Sequence, residues 1–281
     1  LTINCVTPTA TLSGSSTTPG VTYAWTGPTV GAPAGSTPTN STSVVSAGGT
    51  YTLTVTNTVN ACTSTGVVAV TSNVSIPNIS VGSSQTVTCS NSTATLSGSS
   101  STSGVNYSWN PGGSTPTNST TVVLSGGIYT LTITNPTNGC STTGTVSVTQ
   151  NITTPLATAT GGTLTCVNTS TTLVGGPLSG VTYSWTGAGL SGATNLANAT
   201  ATATGNYTLT VTAANGCTNT AVATVTNNIT TPTANAGATQ TIVCGVSSVT
   251  LTGSGTPVGS TATWLGGVTS PNSFTTTVGA P

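Results

Sequence analysis

The 281-residue sequence predicts an all-β protein made of tandem β-sandwich repeats, and three observations support this prediction. Cysteine, tryptophan and tyrosine recur at a nearly constant distance along the chain. Short runs in which apolar residues alternate with threonine are separated by Gly, Pro, Ser and Asn, as expected for strands and turns. The sequence contains no run with the apolar spacing of an amphipathic helix.

Four kinds of landmark residue share one period of about 78 residues, with individual steps of 76 to 84. They are the first cysteines (Cys5, Cys89, Cys166 and Cys244), the tryptophans (Trp25, Trp109, Trp185 and Trp264), the strand tyrosines (Tyr51, Tyr129 and Tyr207) and the second cysteines (Cys62, Cys140 and Cys217). A period of this length fits a small independent domain. It predicts four domains at 1–73, 74–151, 152–228 and 229–281. The first lacks its leading segment and the fourth lacks its last strands.

The most regular element of each repeat is a strand of the type "GNYTLTVTAANGC", found here at positions 205–217. Tyr207, Leu209 and Val211 share one face and threonines occupy the other, which is typical of a half-buried strand. We expect the tyrosines of this strand and the four tryptophans to pack in the core. About seven short strands per repeat predict an immunoglobulin-like sandwich.

The cysteines are expected to form one disulfide within each complete repeat. The expected pairs are Cys5–Cys62, Cys89–Cys140 and Cys166–Cys217, with no bridge between repeats and with Cys244 unpaired in the chain. Each pair would close a loop of about 50 residues, which is worth about 4 kcal/mol in the chain-entropy model. Disulfides indicate an oxidising, extracellular location.

The composition excludes most kinds of chemistry, because the chain contains no Asp, Glu, Lys, Arg or His. General acid–base catalysis and His-activated nucleophiles need these residues, so we expect no enzyme activity and no cofactor. Metal sites built on carboxylate or imidazole are not expected either. Without basic residues there is no electrostatic attraction to nucleic acid, and without a long apolar run no membrane insertion is expected. An uncharged surface favours self-association.

Eleven Asn-x-Ser/Thr sequons provide acceptor sites for glycosylation, which would make an uncharged surface more soluble. They are Asn40, Asn73, Asn78, Asn91, Asn106, Asn118, Asn151, Asn168, Asn198, Asn206 and Asn228. The Trp-to-Tyr stretch varies in length between repeats, and its longest version, at 26–49, is a candidate binding loop.

The stretch "PTANAGATQTIVCGVSSVTLTGSG" before Trp264 and the recurring "GxYTLTVTxxxGC" resemble a known group of repeats. These are the immunoglobulin-like and PKD-like repeats of very large Bacteroidetes surface adhesins, including gliding-motility adhesins. The resemblance implies export to the cell surface and an adhesive or filament role. The chain departs from the family in having no acidic residue near Thr239, which argues against calcium binding. It also has Ala262 where the other repeats have Tyr23, Tyr107 and Tyr183.

Two functions fit these observations. The first is an extracellular structural repeat protein that forms a surface filament, fibre or stalk. The second is an adhesin whose repeats bind a glycan or another surface ligand. The strand of the type "GNYTLTVTAANGC" is called the motif strand below. Because the fourth repeat lacks its motif strand, we expect residues outside this chain to complete it, either downstream in a longer repeat array or from a neighbouring subunit.

Overall fold

A computed structural model describes residues 1–30 and 39–279, which contain strands, turns and loops but no helix. The expected all-β, tandem immunoglobulin-like fold class is confirmed. The chain divides into two compact units. The first comprises Leu1–Pro155 with Thr212–Thr218, and the second comprises Leu156–Val211 with Asn219–Pro281. The boundaries of the four repeats remain a prediction.

The first repeat contains a four-stranded sheet in the order β1-β6-β5-β3 and a two-stranded sheet formed by β2 and β4. Its strands are β1 (Thr2–Asn4), β2 (Ala10–Ser13), β3 (Val21–Thr26), β4 (Thr42–Val45), β5 (Gly49–Asn57) and β6 (Thr63–Asn73). The short β1 runs parallel to the end of β6, so that Asn4 is paired with Asn73.

The second repeat has the same arrangement with one additional edge strand, in sheets of order β10-β12-β13-β8 and β11-β9-β7. Its strands are β7 (Ser80–Val81), β8 (Gln85–Thr88), β9 (Ala94–Ser99), β10 (Asn106–Asn110), β11 (Thr120–Val123), β12 (Gly127–Thr134) and β13 (Ser141–Asn151). Here β8 runs parallel to the end of β13 and pairs Thr88 with Asn151.

The third repeat forms sheets of order β15-β21-β20-β17 and β14-β16-β19-β18. Its strands are β14 (Thr158–Thr160), β15 (Thr163–Thr165), β16 (Thr171–Gly176), β17 (Val181–Thr186), β18 (Leu190–Ser191), β19 (Asn198–Ala201), β20 (Gly205–Ala213) and β21 (Thr218–Asn228). The parallel pair recurs, with Thr165 opposite Asn228.

The described part of the fourth repeat forms two small sheets, β22 with β24 and β23 with β25. Its strands are β22 (Thr233–Asn235), β23 (Ser248–Thr252), β24 (Ser254–Thr256) and β25 (Thr275–Gly279).

Three separate hydrophobic clusters lie between the sheets, one in each of the first three repeats. Burial alternates along the motif strand in step with its apolar and threonine residues. Tyr207, Leu209 and Val211 are fully buried, and the intervening Thr208 and Thr210 are half-buried. Threonine suits the outer face because its β-branched side chain packs well on a pleated surface and leaves a hydroxyl toward water.

Each motif tyrosine also anchors the loop that precedes its strand. The hydroxyls of Tyr51, Tyr129 and Tyr207 donate to the backbone carbonyl four residues earlier, at 2.8, 2.9 and 2.7 Å. A tyrosine near the start of this strand that bonds back to upstream backbone is a hallmark of immunoglobulin-like sandwiches. The bond gives the hydroxyl a backbone acceptor beneath the loop, as a buried tyrosine hydroxyl requires.

Candidate functional site

The expected pairing of cysteines within repeats is wrong. The structure joins Cys5 of the first repeat to Cys140 of the second, and Cys89 of the second repeat to Cys217 of the third. The bridged Cα atoms are 5.0 and 4.9 Å apart. Cys62 and Cys166, which we expected to be bridged, have exposed free thiols, and so does Cys244.

The length of the last strand explains why a repeat does not bridge its own cysteines. In the first repeat, Cys5 follows β1, which pairs with the C-terminal end of β6, whereas Cys62 immediately precedes β6. Strands β6, β13 and β21 each have 11 residues. At about 3.3 Å per residue, such a strand separates its two ends by about 33 Å. Bridged Cα atoms must lie within about 7 Å, so each second cysteine can meet only a cysteine from outside its own repeat.

The first junction consists of Cys5 and the turn 135–140, and an asparagine side chain holds it together. Asn138 is only 1% exposed, and its Nδ2 donates to Asn73 Oδ1 and to the Ser75 carbonyl, both at 3.0 Å. Its Oδ1 accepts from the backbone amide of Cys140 at 3.0 Å. The amide of Cys5 donates to the Asn138 carbonyl at 3.1 Å. The disulfide is therefore reinforced by four hydrogen bonds at one residue.

The second junction repeats this geometry with Cys89 and the turn 213–217, all within the first compact unit. Asn215 Nδ2 donates to Asn151 Oδ1 and to the Thr153 carbonyl, both at 3.0 Å. Its Oδ1 accepts from the Cys217 amide at 3.0 Å, and the Cys89 amide donates to its carbonyl at 3.1 Å. The same contacts at two places show that the junction is a built part of the repeat.

A glycine between the asparagine and the cysteine lets the two backbones approach closely. Gly139 and Gly216 adopt φ of +69° and +79°, in the left-handed region that favours glycine. A Cβ at position 139 would overlap the Val6 side chain, and one at position 216 would lie 2.5 Å from the Ser90 Cβ. Both contacts are made with the residue that follows the first cysteine. The glycine is therefore part of the contact surface.

The aromatic residues expected in the core occupy two kinds of environment. Trp25, Trp109 and Trp185 are buried, as are Tyr51, Tyr129 and Tyr207, whereas Trp264 is half-buried. The indole Nε1 atoms of Trp109, Trp185 and Trp264 donate to backbone carbonyls of Asn118, Leu196 and Ser273. The buried Nε1 of Trp25 has no hydrogen-bond partner among the described residues.

Trp264 lines a cleft of about 230 Å³ in the fourth repeat, together with Phe274 and several small polar residues. Trp185, at the corresponding position of the third repeat, packs instead in a cluster with Tyr207 and Leu209 of the motif strand. The tryptophan of the third repeat therefore packs against the motif strand, whereas Trp264 lines a cleft.

All eleven sequon asparagines are exposed. Asn73 and Asn151 are also the residues whose Oδ1 atoms accept the junction hydrogen bonds. The candidate binding loop at 26–49 is described at 26–30 and 39–49, and its centre lies outside the described residues.

Residues 1–30 and 39–279 contain no group of three potential metal-ligating side chains. Over these ranges the structure also has no helix with the length and apolar character needed to cross a bilayer.

Asn138 and Asn215 were not predicted as functional residues, although the sequence contains a signal for them. Asn60, Asn138 and Asn215 all lie two residues before a second cysteine. An asparagine at a fixed offset in a turn indicates turn formation, which uses only its Oδ1. The role of its Nδ2 depends on a surface contributed by another repeat.

No family model and no curated protein matches the chain. Solved structures with a similar fold include an I-band fragment of titin, which is 13% identical, has a TM-score of 0.35 and covers 81% of this chain and 94% of its own. Three N-terminal domains of the bacteriophage RB49 outer capsid protein Hoc are 15% identical, with a TM-score of 0.31 and coverage of 77% and 91%. The N-terminal domains of the Down syndrome cell adhesion molecule are 13% identical, with a TM-score of 0.32 and coverage of 99% and 42%. At this identity the likeness concerns the fold alone.

Proposed function

We propose that the chain is an extracellular structural protein, a stalk or filament segment whose repeats are joined by disulfide-locked junctions. The observation that carries this proposal is the pairing of Cys5 with Cys140 and of Cys89 with Cys217. A bridge within a repeat would stabilise that repeat alone. A bridge from one repeat to the next adds a covalent link in parallel with the backbone, and this is useful where a chain carries tension.

The composition supports the same function. The chain has none of the acid, base or imidazole side chains that most catalysis and charge-driven binding require. Disulfides persist in oxidising compartments outside the cytosol. The resemblance to surface adhesin repeats adds a cell-surface location to the proposal.

The two bridges overlap along the sequence and shorten the covalent path through the molecule. The shortest route from Cys5 to Cys217 passes through both bridges and through the 51 positions that separate Cys89 from Cys140. Without the bridges, the route follows 212 positions of backbone. At roughly 3.5 Å per residue, these routes correspond to about 180 Å and about 740 Å when fully extended.

Single-molecule stretching of the chain between its two ends tests the proposal. We expect the fully extended chain to be about 560 Å longer with a reductant than without one, by the same 3.5 Å per residue. An equal extension in both conditions would show that the bridges do not carry load.

A matched variant, Cys89→Ser with Cys217→Ser, keeps the first bridge alone. Its shortest route runs through Cys5–Cys140 and then along the 77 positions from Cys140 to Cys217. We expect an extended length between those of the intact and the reduced chain, about 90 Å longer than the intact chain at roughly 3.5 Å per residue. This graded series separates the contribution of the two bridges.

The second candidate, a glycan-binding adhesin, is favoured by the cleft beside Trp264. An aromatic face surrounded by side chains such as Asn235 and Thr261 is a chemistry that suits stacking on a sugar ring. A glycan array probed with the full chain distinguishes the two candidates. Binding that Trp264→Ala abolishes would favour the adhesin, and no binding would favour the structural protein.

A further inference from the structure

The junction surface seen twice within the chain is present a third time, and there no described residue is docked on it. Cys166 follows β15, which pairs with the end of β21 and places Thr165 opposite Asn228. Asn4–Asn73 and Thr88–Asn151 are paired in the same way beside Cys5 and Cys89. Cys166 has an exposed free thiol, and the next residue, Val167, is 89% exposed. No described residue covers this surface.

The complementary turn is present in the first repeat at 57–62, and among the described residues no junction surface is docked on it. Asn60 Oδ1 accepts from the Cys62 amide at 3.1 Å, and the Asn57 amide donates to the Cys62 carbonyl at 3.0 Å. In both docked turns the cysteine amide donates to the asparagine Oδ1 at 3.0 Å, and the first residue of the turn donates its amide to the cysteine carbonyl at 2.9 Å. The turn is therefore already folded for docking. Cys140 and Cys217 are each 1% exposed in their docked turns, whereas Cys62 is exposed.

We propose that the 57–62 turn of one chain docks on the Cys166 surface of a second copy, and that Cys62 and Cys166 form an intermolecular disulfide. The two junctions in this chain each dock such a turn on the surface of the preceding repeat, and a second copy offers the same turn with the same hydrogen-bonding groups. Asn60 Nδ2 would donate to Asn228 Oδ1, and the Cys166 amide to the Asn60 carbonyl. The contact is heterologous, because it joins different surfaces of the two copies, so the same link can be repeated from chain to chain.

Cys244 is a poorer partner, although its thiol is also free and exposed. In the described structure no strand directly precedes Cys244, and no parallel pair places an asparagine beside it. The hydrogen-bond acceptors that hold Asn138 and Asn215 are therefore missing at Cys244. Cys166 is therefore the better partner for Cys62, because of the hydrogen-bond acceptors beside it and not because its thiol is more exposed.

Ala61 makes this intermolecular junction weaker than the two internal ones. It occupies the position of Gly139 and Gly216 and has a φ of +56°. At the first junction a Cβ in this position would overlap the Val6 side chain, and Val167 is the corresponding residue beside Cys166. The neighbour must shift to admit the methyl group, so coupling is slower than at a glycine turn.

The bond forms by thiol–disulfide exchange with a small-molecule disulfide as the oxidant. The Cys166 thiolate attacks oxidised glutathione, forms a mixed disulfide and releases one glutathione thiolate. The Cys62 thiolate then attacks the Cys166 sulfur, forms the Cys62–Cys166 bond and releases the second glutathione. The two protein thiols lose two protons, and the oxidant accepts two electrons.

The inference rests on the proposed structural function, but its test can fail independently. Equal amounts of ¹⁵N-labelled and unlabelled full-length chain are incubated with reduced and oxidised glutathione. The products are separated on a non-reducing gel and digested with pepsin at acid pH, where exchange is suppressed. We expect a ladder of linked chains and mixed-isotope peptides that join Cys62 to Cys166. Stretching experiments probe bridges inside one chain, whereas this experiment probes links between chains.

Three variants make the result specific. We expect Cys166→Ser to reduce the ladder at least tenfold, Cys244→Ser to leave it unchanged and Ala61→Gly to increase its rate several-fold. Retained Cys5–Cys140 and Cys89–Cys217 peptides in the same digests show that each variant is folded. Chains that stay monomeric, a ladder linked through Cys244, or protein from its source with Cys62 bridged inside its own polypeptide would each overturn the proposal.

Discussion

At the scale of single residues, the polar interactions that stabilise this chain are hydrogen bonds and not ion pairs, because the chain has no charged side chains. Each buried hydroxyl or amide must find a backbone or side-chain partner, since leaving it unpaired costs about 1–3 kcal/mol. Tyr129 and Asn138 meet this requirement in different ways. The tyrosine fixes a loop within its own repeat, and the asparagine fixes one repeat against the next.

Replacing Tyr129 by phenylalanine removes the hydrogen bond from its hydroxyl to the Ser125 carbonyl. We expect the second repeat to lose about 1 kcal/mol of stability, which corresponds to roughly fivefold faster amide exchange in β12. Hydrogen exchange followed by mass spectrometry measures this change. Tyr107→Phe is the control, because the structure shows no hydrogen bond from the half-buried Tyr107 hydroxyl to any described residue. Equal effects of the two substitutions would contradict the assigned role.

Replacing Asn138 by alanine removes three side-chain hydrogen bonds at a buried position. We expect a loss of about 2–3 kcal/mol and a faster reduction of the Cys5–Cys140 bridge by dithiothreitol. Asn60→Ala is the matched control, since Asn60 lies in the corresponding exposed turn and accepts a single bond. A rate of reduction that is unchanged by Asn138→Ala would show that the asparagine does not hold the junction.

At the scale of elements, the turn before each last strand has two separable properties. Its backbone needs a residue that tolerates positive φ, and its surface must have no side chain that blocks the neighbouring repeat. Gly139 meets both requirements. Gly104 also has a positive φ, of +71°, but a Cβ added there would meet no other atom within 4 Å. This pair of glycines allows the cost of conformation to be separated from the cost of contact.

We expect Gly104→Ala and Gly139→Ala to destabilise the second repeat similarly, by about 1–2 kcal/mol, because an L-residue at positive φ is strained. Only Gly139→Ala should also accelerate reduction of Cys5–Cys140, because its methyl group meets Val6. Urea denaturation and the dithiothreitol rate measure the two effects. If both variants accelerate reduction equally, the glycine does not contribute to the junction surface.

At the scale of the whole molecule, an uncharged chain is held together by apolar cores, hydrogen bonds and cross-repeat bridges. Acid denaturation ordinarily arises when carboxylates or histidines bind different numbers of protons in the folded and unfolded states. This chain contains neither kind of residue. No carboxylate or imidazole therefore makes the folding free energy depend on pH in the acidic and neutral range.

We expect the melting temperature to stay within a few degrees between about pH 4 and pH 8, because no Asp, Glu or His titrates there. Differential scanning calorimetry in buffers of matched ionic strength checks this expectation. A shift of many degrees would reveal a charged modification of the protein, such as an acidic glycan on the exposed sequons.

The sequence by itself determined the β class, the repeat and the inward face of each motif strand. These features are local, because alternation of Tyr207, Leu209 and Val211 with threonine sets burial through the two-residue period of a strand. The recurring Asn-x-Cys was also visible, but its side-chain partners were not. A spacing of about 50 residues between cysteines is compatible with a bridge inside a repeat as long as strand direction is ignored.

Only the tertiary structure decided which cysteines meet. The parallel pairing of β1 with β6 places Cys5 at one end of an 11-residue strand whose other end carries Cys62. About 33 Å of strand then excludes a bridge within the repeat. The direction in which a short edge strand pairs is a non-local property, set by packing and not by the alternation of its residues. The same non-local contact turns Asn138 from a turn former into the residue that locks two repeats together.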